Sequence, residues 1–246
     1  MIVVSRCAAL LAAVVVAASL SACTRSVDGD GHYADAKTAA QTPSNTSAQS
    51  DRLIKIDQLP SLVLPPADIG EIMGVPGMQM LVPYQTFEQM PDDTISDPAC
   101  FGAMFGAVEP VYRGSGYQGV LGQRLADPAD MSAGRLDQAI IAFGDGADAT
   151  AYVSDQVDAW KDCGGKPLTL KVADMQVNWA VDVPRYVNGV DVLTRTQEGG
   201  DGFGCGRGIL AKDNTVIDVA VCGPDTVKAG DYAAAIADGI NAKYPE

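Results

Sequence analysis

Six cysteines punctuate this chain, and their placement restricts the fold more than any other feature. Cys7 and Cys23 stand close to the start, while Cys100, Cys163, Cys205 and Cys222 are spread through the rest. An even set of four in an exported domain implies two disulfides, with three connectivities open on count alone. A zinc site is the competing use. It fails on spacing, because there is no Cys-x-x-Cys and the one histidine, His32, lies far upstream of all four. Cys205 and Cys222 flank Asp213-Asn214, eight residues before Asp213 and eight after Asn214. That dipeptide suits a tight turn, and a symmetric hairpin sets the two cysteines opposite each other. This favours Cys205–Cys222 and leaves Cys100–Cys163 to join two helices.

The disulfide argument requires export, and the N-terminus supplies it. Arg6 gives a short positive stretch, and Cys7 to Leu20 is an apolar run of small residues. The run is too short for a comfortable membrane span of about 20 residues and suits a signal peptide. Leu20-Ser21-Ala22-Cys23 follows, which resembles the bacterial lipobox: an aliphatic residue, two small residues, then the cysteine that is acylated. The expected order is a lipoprotein signal peptide over residues 1–22, a lipidated Cys23 with a flexible tether over 23–52, and a folded domain over 53–246. From Thr24 to Arg52 there is no Leu, Ile or Phe, so this segment cannot bury enough to offset its ordering entropy. Its Thr/Ser/Pro run, Thr42 to Ser47, is a candidate acceptor of O-linked sugar. The expected location is the extracytoplasmic face of the cell membrane, held by lipid.

Within the folded domain, hydrophobic periodicity predicts a short helix from Ala67 to Met73, with Pro66 near its start and Gly74 at its end. Asp97-Pro98 opens a second helix, with Phe101, Met104, Phe105 and Val108 as its apolar stripe. Asp148 to Cys163 and Asp225 to Lys243 read as longer helices. Strands are expected at Tyr117–Leu125, Gln138–Phe143, Leu168–Val172, Val177–Val183, Val190–Gln197, Cys205–Ala211 and Thr215–Val221. Successive strands with no helix between them favour an α+β layout, mainly an antiparallel sheet flanked by helices.

Charge and composition exclude several functions. With 17 Lys+Arg against 31 Asp+Glu, the net charge of −14 argues against nucleic acid and against a basic lipid-binding surface. With His32 in the tether, the domain has no histidine for a Ser-His-Asp or Cys-His pair and none to ligate a metal. No catalytic residue, metal ligand or cofactor is assigned. Gly114 to Gly119 matches GxGxxG but runs into a strand pattern, whereas a phosphate cradle needs a helix N-terminus behind it. The cluster from Gly199 to Gly206 is read first as a turn, a bulge or a close backbone approach, and second as the mouth of a ligand site. Asp92-Asp93, Asp145/Asp148 and Asp191/Glu198 are the carboxylate pairs a hydrolase would use, though each is more simply a turn or a cap. Trp160 and Trp179 are read as core residues rather than sugar platforms.

The ordered features resemble the PknH-like extracellular domain family, known as the outer sensor domain of some mycobacterial serine/threonine kinases and in stand-alone lipoproteins. The resemblance runs from about Leu59 to Pro245. It rests on Leu62-Val-Leu-Pro-Pro-Ala-Asp-Ile-Gly-Glu-Ile-Met-Gly, Pro98-Ala-Cys100-Phe-Gly-Ala, Trp160-Lys-Asp-Cys163, Phe203-Gly-Cys205-Gly-Arg207-Gly-Ile-Leu and Asn214-Thr-Val-Ile-Asp-Val-Ala-Val-Cys222-Gly. The family pattern carries a Trp before the third cysteine, where this chain has Phe203. The resemblance implies an antiparallel sheet flanked by helices, bridges pairing first cysteine with second and third with fourth, and a sizeable cleft for an unidentified ligand. It implies no enzymatic activity and transfers no ligand residues.

The leading expectation is a lipid-anchored sensor-like module that binds a small-molecule or envelope ligand, does no catalysis of its own and passes its state to an envelope partner. With neither a kinase domain nor a membrane-spanning helix, such a chain cannot signal inward by itself. A protein-partner module acting with receptor kinases is the second expectation, and a carboxylate-based envelope hydrolase the third.

Overall fold

The computed structural model describes residues 53–245. The signal segment, Cys23, the tether and His32 lie outside the described residues. Within them, α1 (Pro66–Met73) starts at the expected proline and stops where Gly74 takes a left-handed φ of 69°. A 3-10 turn, Pro98–Cys100, leads into α2 (Phe101–Met104), and α3 (Glu109–Tyr112) follows. The long helices are α4 (Gly146–Cys163) and α5 (Thr226–Asn241). Asp145 caps α4 by accepting from the Asp148 N–H at 2.9 Å, and Asp225 caps α5 through the Lys228 N–H at 3.1 Å.

Nine strands form one antiparallel sheet: β1 (Gln79–Tyr84), β2 (Gly119–Ala126), β3 (Arg135–Ala142), β4 (Pro167–Val172), β5 (Met175–Val181), β6 (Arg185–Val187), β7 (Val190–Gln197), β8 (Gly204–Lys212) and β9 (Thr215–Gly223). Their order is β1-β2-β3-β9-β8-β7-β5-β4, with β6 pairing to β7. The α+β expectation is met. Two-residue periodicity divides the sheet between two cores. Ile140 and Ile217 face one core with Ala233, Ile236 and Ile240 of α5. Ile141 and Val216 face the other with Tyr152 and Trp160 of α4.

Two disulfides are present among the described residues. Cys100–Cys163 ties the 3-10 turn to the end of α4, and Cys205–Cys222 crosses the β8–β9 ladder directly opposite each other. The β8–β9 turn is Asp213-Asn214 as expected, with Asp213 at φ 50°. Asn214 does more than turn the chain. It accepts from the Ile54 N–H at 2.6 Å and donates to the Phe143 carbonyl at 2.9 Å, pinning the start of the domain.

One expectation needs correction, and two strands were not expected. The second helix ends at Met104, and Phe105 is extended (φ −134°, ψ 151°). Gly102 and Gly106 weaken a helix here, and the chain instead passes close to two buried side chains: a Cβ on Gly106 would lie 3.0 Å from Asp218 Oδ1. Strand β1 was not foreseen, since its Pro83 and its uniform exposure break the alternating pattern, as befits an edge strand. Strand β6 was also missed, although Asn188-Gly189, both at positive φ, is the strongest hairpin signal in the chain.

Candidate functional site

A cavity of about 580 Å³ opens on the face of the sheet that α4 covers elsewhere. All eight strands of the main path contribute to its wall, including both edges, Leu81 and Val82 from β1 and Leu170 and Val172 from β4. Flat, eight strands would set those edges about 34 Å apart. The sheet therefore curls around the cavity. The segment after β1 closes the curl: it bridges at Glu88 to Val108 and at Ile95 to Leu170 of β4. Met104 to Val108, the stretch freed by the early end of α2, forms a further wall. The rim is apolar and exposed, with Leu81, Val82, Met131 and Val172 each 44–48% accessible.

Beneath the cavity lies a fully buried polar network. Arg207 donates to both carboxylate oxygens of Asp218, at 2.9 and 2.7 Å, and to the Gly102 carbonyl at 2.6 Å. Tyr112 OH donates to Asp218 at 2.8 Å, and burial together with that carboxylate holds its phenol well above its usual pKa. Asp137, also on the cavity wall, accepts from Tyr84 OH at 2.6 Å and from Arg124 Nε at 3.2 Å. Burial pushes Asp137 up to about 6, against the lowering effect of those two bonds. Glu88 at the edge of the cavity pairs with Arg124 at 2.6 Å.

Arg195 differs from Arg207. It is 6% exposed and lines the cavity, yet makes no ion pair among the described residues. Its Nε has no acceptor, and its one hydrogen bond is a 3.5 Å contact from Nη1 to the Ala103 carbonyl. Its guanidinium lies 5.6 Å from the centre of the Trp179 ring, and Trp179 Nε1 also lacks an acceptor. Burial first, then the nearby Arg207, pushes Arg195 down to about 9.

The carboxylate pairs singled out from the sequence are not brought together here. Asp92 pairs with Arg113 at 3.2 Å, Asp93 with Lys171 at 3.4 Å, and Asp145 caps α4. Neither Asp191 nor Glu198 lines the cavity. The GxGxxG match ends in β2, not a helix. The glycine cluster forms a turn with Gly199 and Gly202 at positive φ, and then lets α5 settle on the backbone of β8: a Cβ on Gly206 would collide with Gly230. Of that cluster, Phe203 and Cys205 reach the cavity. Trp160 is fully buried as expected, whereas Trp179 is both buried and a cavity wall. Arg195 was missed. Its one local mark is register: it shares a face of β7 with the buried Leu193, which any strand arginine could do.

Residues 54–243 match the PknH-like extracellular domain. Serine/threonine-protein kinase PknH of Mycobacterium bovis is 34% identical over 187 residues, covering 75% of this chain and 31% of that protein. Serine/threonine-protein kinase PknJ of Mycobacterium tuberculosis is 29% identical over 204 residues, covering 78% of this chain and 33% of that protein. The chain thus spans about a third of the length of the curated relatives it matches. The crystal structure of the extracellular domain of PknH from Mycobacterium tuberculosis aligns with a TM-score of 0.71 at 31% identity, covering 78% of this chain and 99% of that one.

Proposed function

Because the chain belongs to the PknH-like extracellular domain family, we propose that it is a lipid-anchored envelope protein whose extracytoplasmic domain takes a ligand into the cavity on the curled sheet. The cavity carries this reading: about 580 Å³, walled by apolar and aromatic side chains with a few polar groups at its base, is the form of a small-molecule site. The lipid would be on Cys23, and residues 24–52 would hold the domain off the membrane. No catalytic role is assigned to any side chain. The liganded state would be read by an envelope partner.

The second reading, a protein-partner module, draws on the exposed apolar residues Met80, Leu81 and Val82 along edge strand β1. Thermal unfolding separates the two. A ligand that binds only the folded state raises the midpoint. A lipid extract of the host envelope should raise it for the chain, and Ala220→Phe, which fills the cavity from β9, should not respond. No rise for the unaltered chain contradicts the ligand reading.

A further inference from the structure

Charge pairing around the cavity is lopsided. Its three carboxylates are all engaged: Glu88 and Asp137 by Arg124, Asp218 by Arg207. Two of its arginines are not. Arg195 has no ion pair among the described residues, and Arg135, at the mouth, has a 5.9 Å approach to the Phe203 ring. A buried cation without a carboxylate is costly, and a buried donor without an acceptor adds to the cost. Two buried donors here, Arg195 Nε and Trp179 Nε1, have no acceptor among the described residues, and the Arg195 guanidinium lies 5.6 Å from the centre of the Trp179 ring. A guanidinium fork matches a carboxylate or phosphate. Apart from Gln197, the remaining wall and the exposed rim (Leu81, Val82, Met131, Val172) are apolar.

Resting on the ligand reading above, we propose that the cavity selects an amphiphile with an anionic headgroup, held at Arg195 and Trp179 with its apolar tail along the cavity wall and rim. The net charge of −14 disfavours general anion binding, so recognition depends on this local pair and on the apolar contact.

The test uses the full chain carrying Cys23→Ser, so that no acyl group of its own competes. Tetradecanoate, tetradecyl phosphate, tetradecanol and tetradecylammonium are each titrated below their aggregation concentrations, with binding read by calorimetry and tryptophan fluorescence. Either acid should bind about 10- to 100-fold tighter than the alcohol, the gain of a charge-assisted hydrogen bond. Which acid binds tighter distinguishes a carboxylate from a phosphate headgroup. Arg195→Met should reduce the acids to the level of the alcohol, while Arg195→Lys should keep part of the preference. Far-UV circular dichroism establishes that both variants fold. Alcohol and acids binding equally, tightest binding of the ammonium, or an acid preference that survives Arg195→Met would each overturn the headgroup assignment while leaving the cavity as a ligand site. Binding of none of the four overturns the amphiphile assignment, and the envelope-extract unfolding shift then decides the ligand reading separately.

Discussion

Arg207 and Asp218 meet through two parallel hydrogen bonds, Nε to Oδ1 at 2.9 Å and Nη2 to Oδ2 at 2.7 Å, with both side chains almost wholly buried. Arg195 is buried on the same face of the sheet without any such partner. The two arginines are therefore opposite cases of one rule: a buried charge is tolerated when paired and costly when it is not.

Replacing them should move stability in opposite directions. Arg207→Met strands the Asp218 carboxylate and should cost about 3–5 kcal/mol. Arg195→Met removes an unpaired cation and should stabilise the unliganded chain by about 1–3 kcal/mol, raising the midpoint by about 2–4 °C per kcal/mol. Urea and thermal unfolding of the two variants measure this. A destabilised Arg195→Met would show that the cation is satisfied without a ligand.

The disulfides should differ in their effect. The loop-entropy account gives about 4 kcal/mol for Cys100–Cys163, which closes 63 residues, and about 3 kcal/mol for Cys205–Cys222, which closes 17. Paired Cys→Ala variants compared by denaturant unfolding measure the ranking. Cys205 and Cys222 also line the cavity, so their removal should weaken ligand binding as well, whereas loss of Cys100–Cys163 should act on stability first.

Asp137 gives the domain an unusual pH response. Its pKa is raised in the folded state to about 6, chiefly by burial. The folded state thus holds its proton where the unfolded chain has released it. The associated stability is fully present below the ordinary value of 3.8 and is lost as pH rises through about 6. The midpoint of the unaltered chain should fall between pH 4 and pH 7, and Asp137→Asn, which can still accept from Tyr84, should flatten that fall. Identical profiles for the two proteins would contradict the assignment.

Cys23→Ala should move the chain from the membrane fraction to the soluble fraction and abolish incorporation of a labelled fatty acid. Retention on the membrane, with label incorporated elsewhere, would remove the anchor from this account.

Much of the scaffold was legible because it is locally encoded. Asp225 before an apolar-periodic run, Pro66 and Gly74 around α1, and the symmetric cysteines about Asp213-Asn214 are short-range signals, and the structure follows each. The failures have different causes, and β6 was announced locally by Asn188-Gly189. The stripe from Phe101 to Val108 reads as a helix, yet Gly106 has to pass within reach of Asp218, which lies over a hundred residues away. Strand β1 has no buried face, so no alternation could reveal it. The cavity was legible only as a family expectation. Arg195 looks like any arginine in a strand until the fold shows that β5 and β7 bring it under Trp179 and that no carboxylate follows.

The central claim is that the cavity holds a ligand in the envelope, and native mass spectrometry tests it most directly. The chain carrying Cys23→Ser is purified from its own host after export, weighed intact, and weighed again after denaturation. The account predicts a non-covalent adduct that leaves on denaturation, is an acidic amphiphile, and is absent from Ala220→Phe. A bare polypeptide mass before and after denaturation would contradict it and turn attention to partners at the exposed edge of β1.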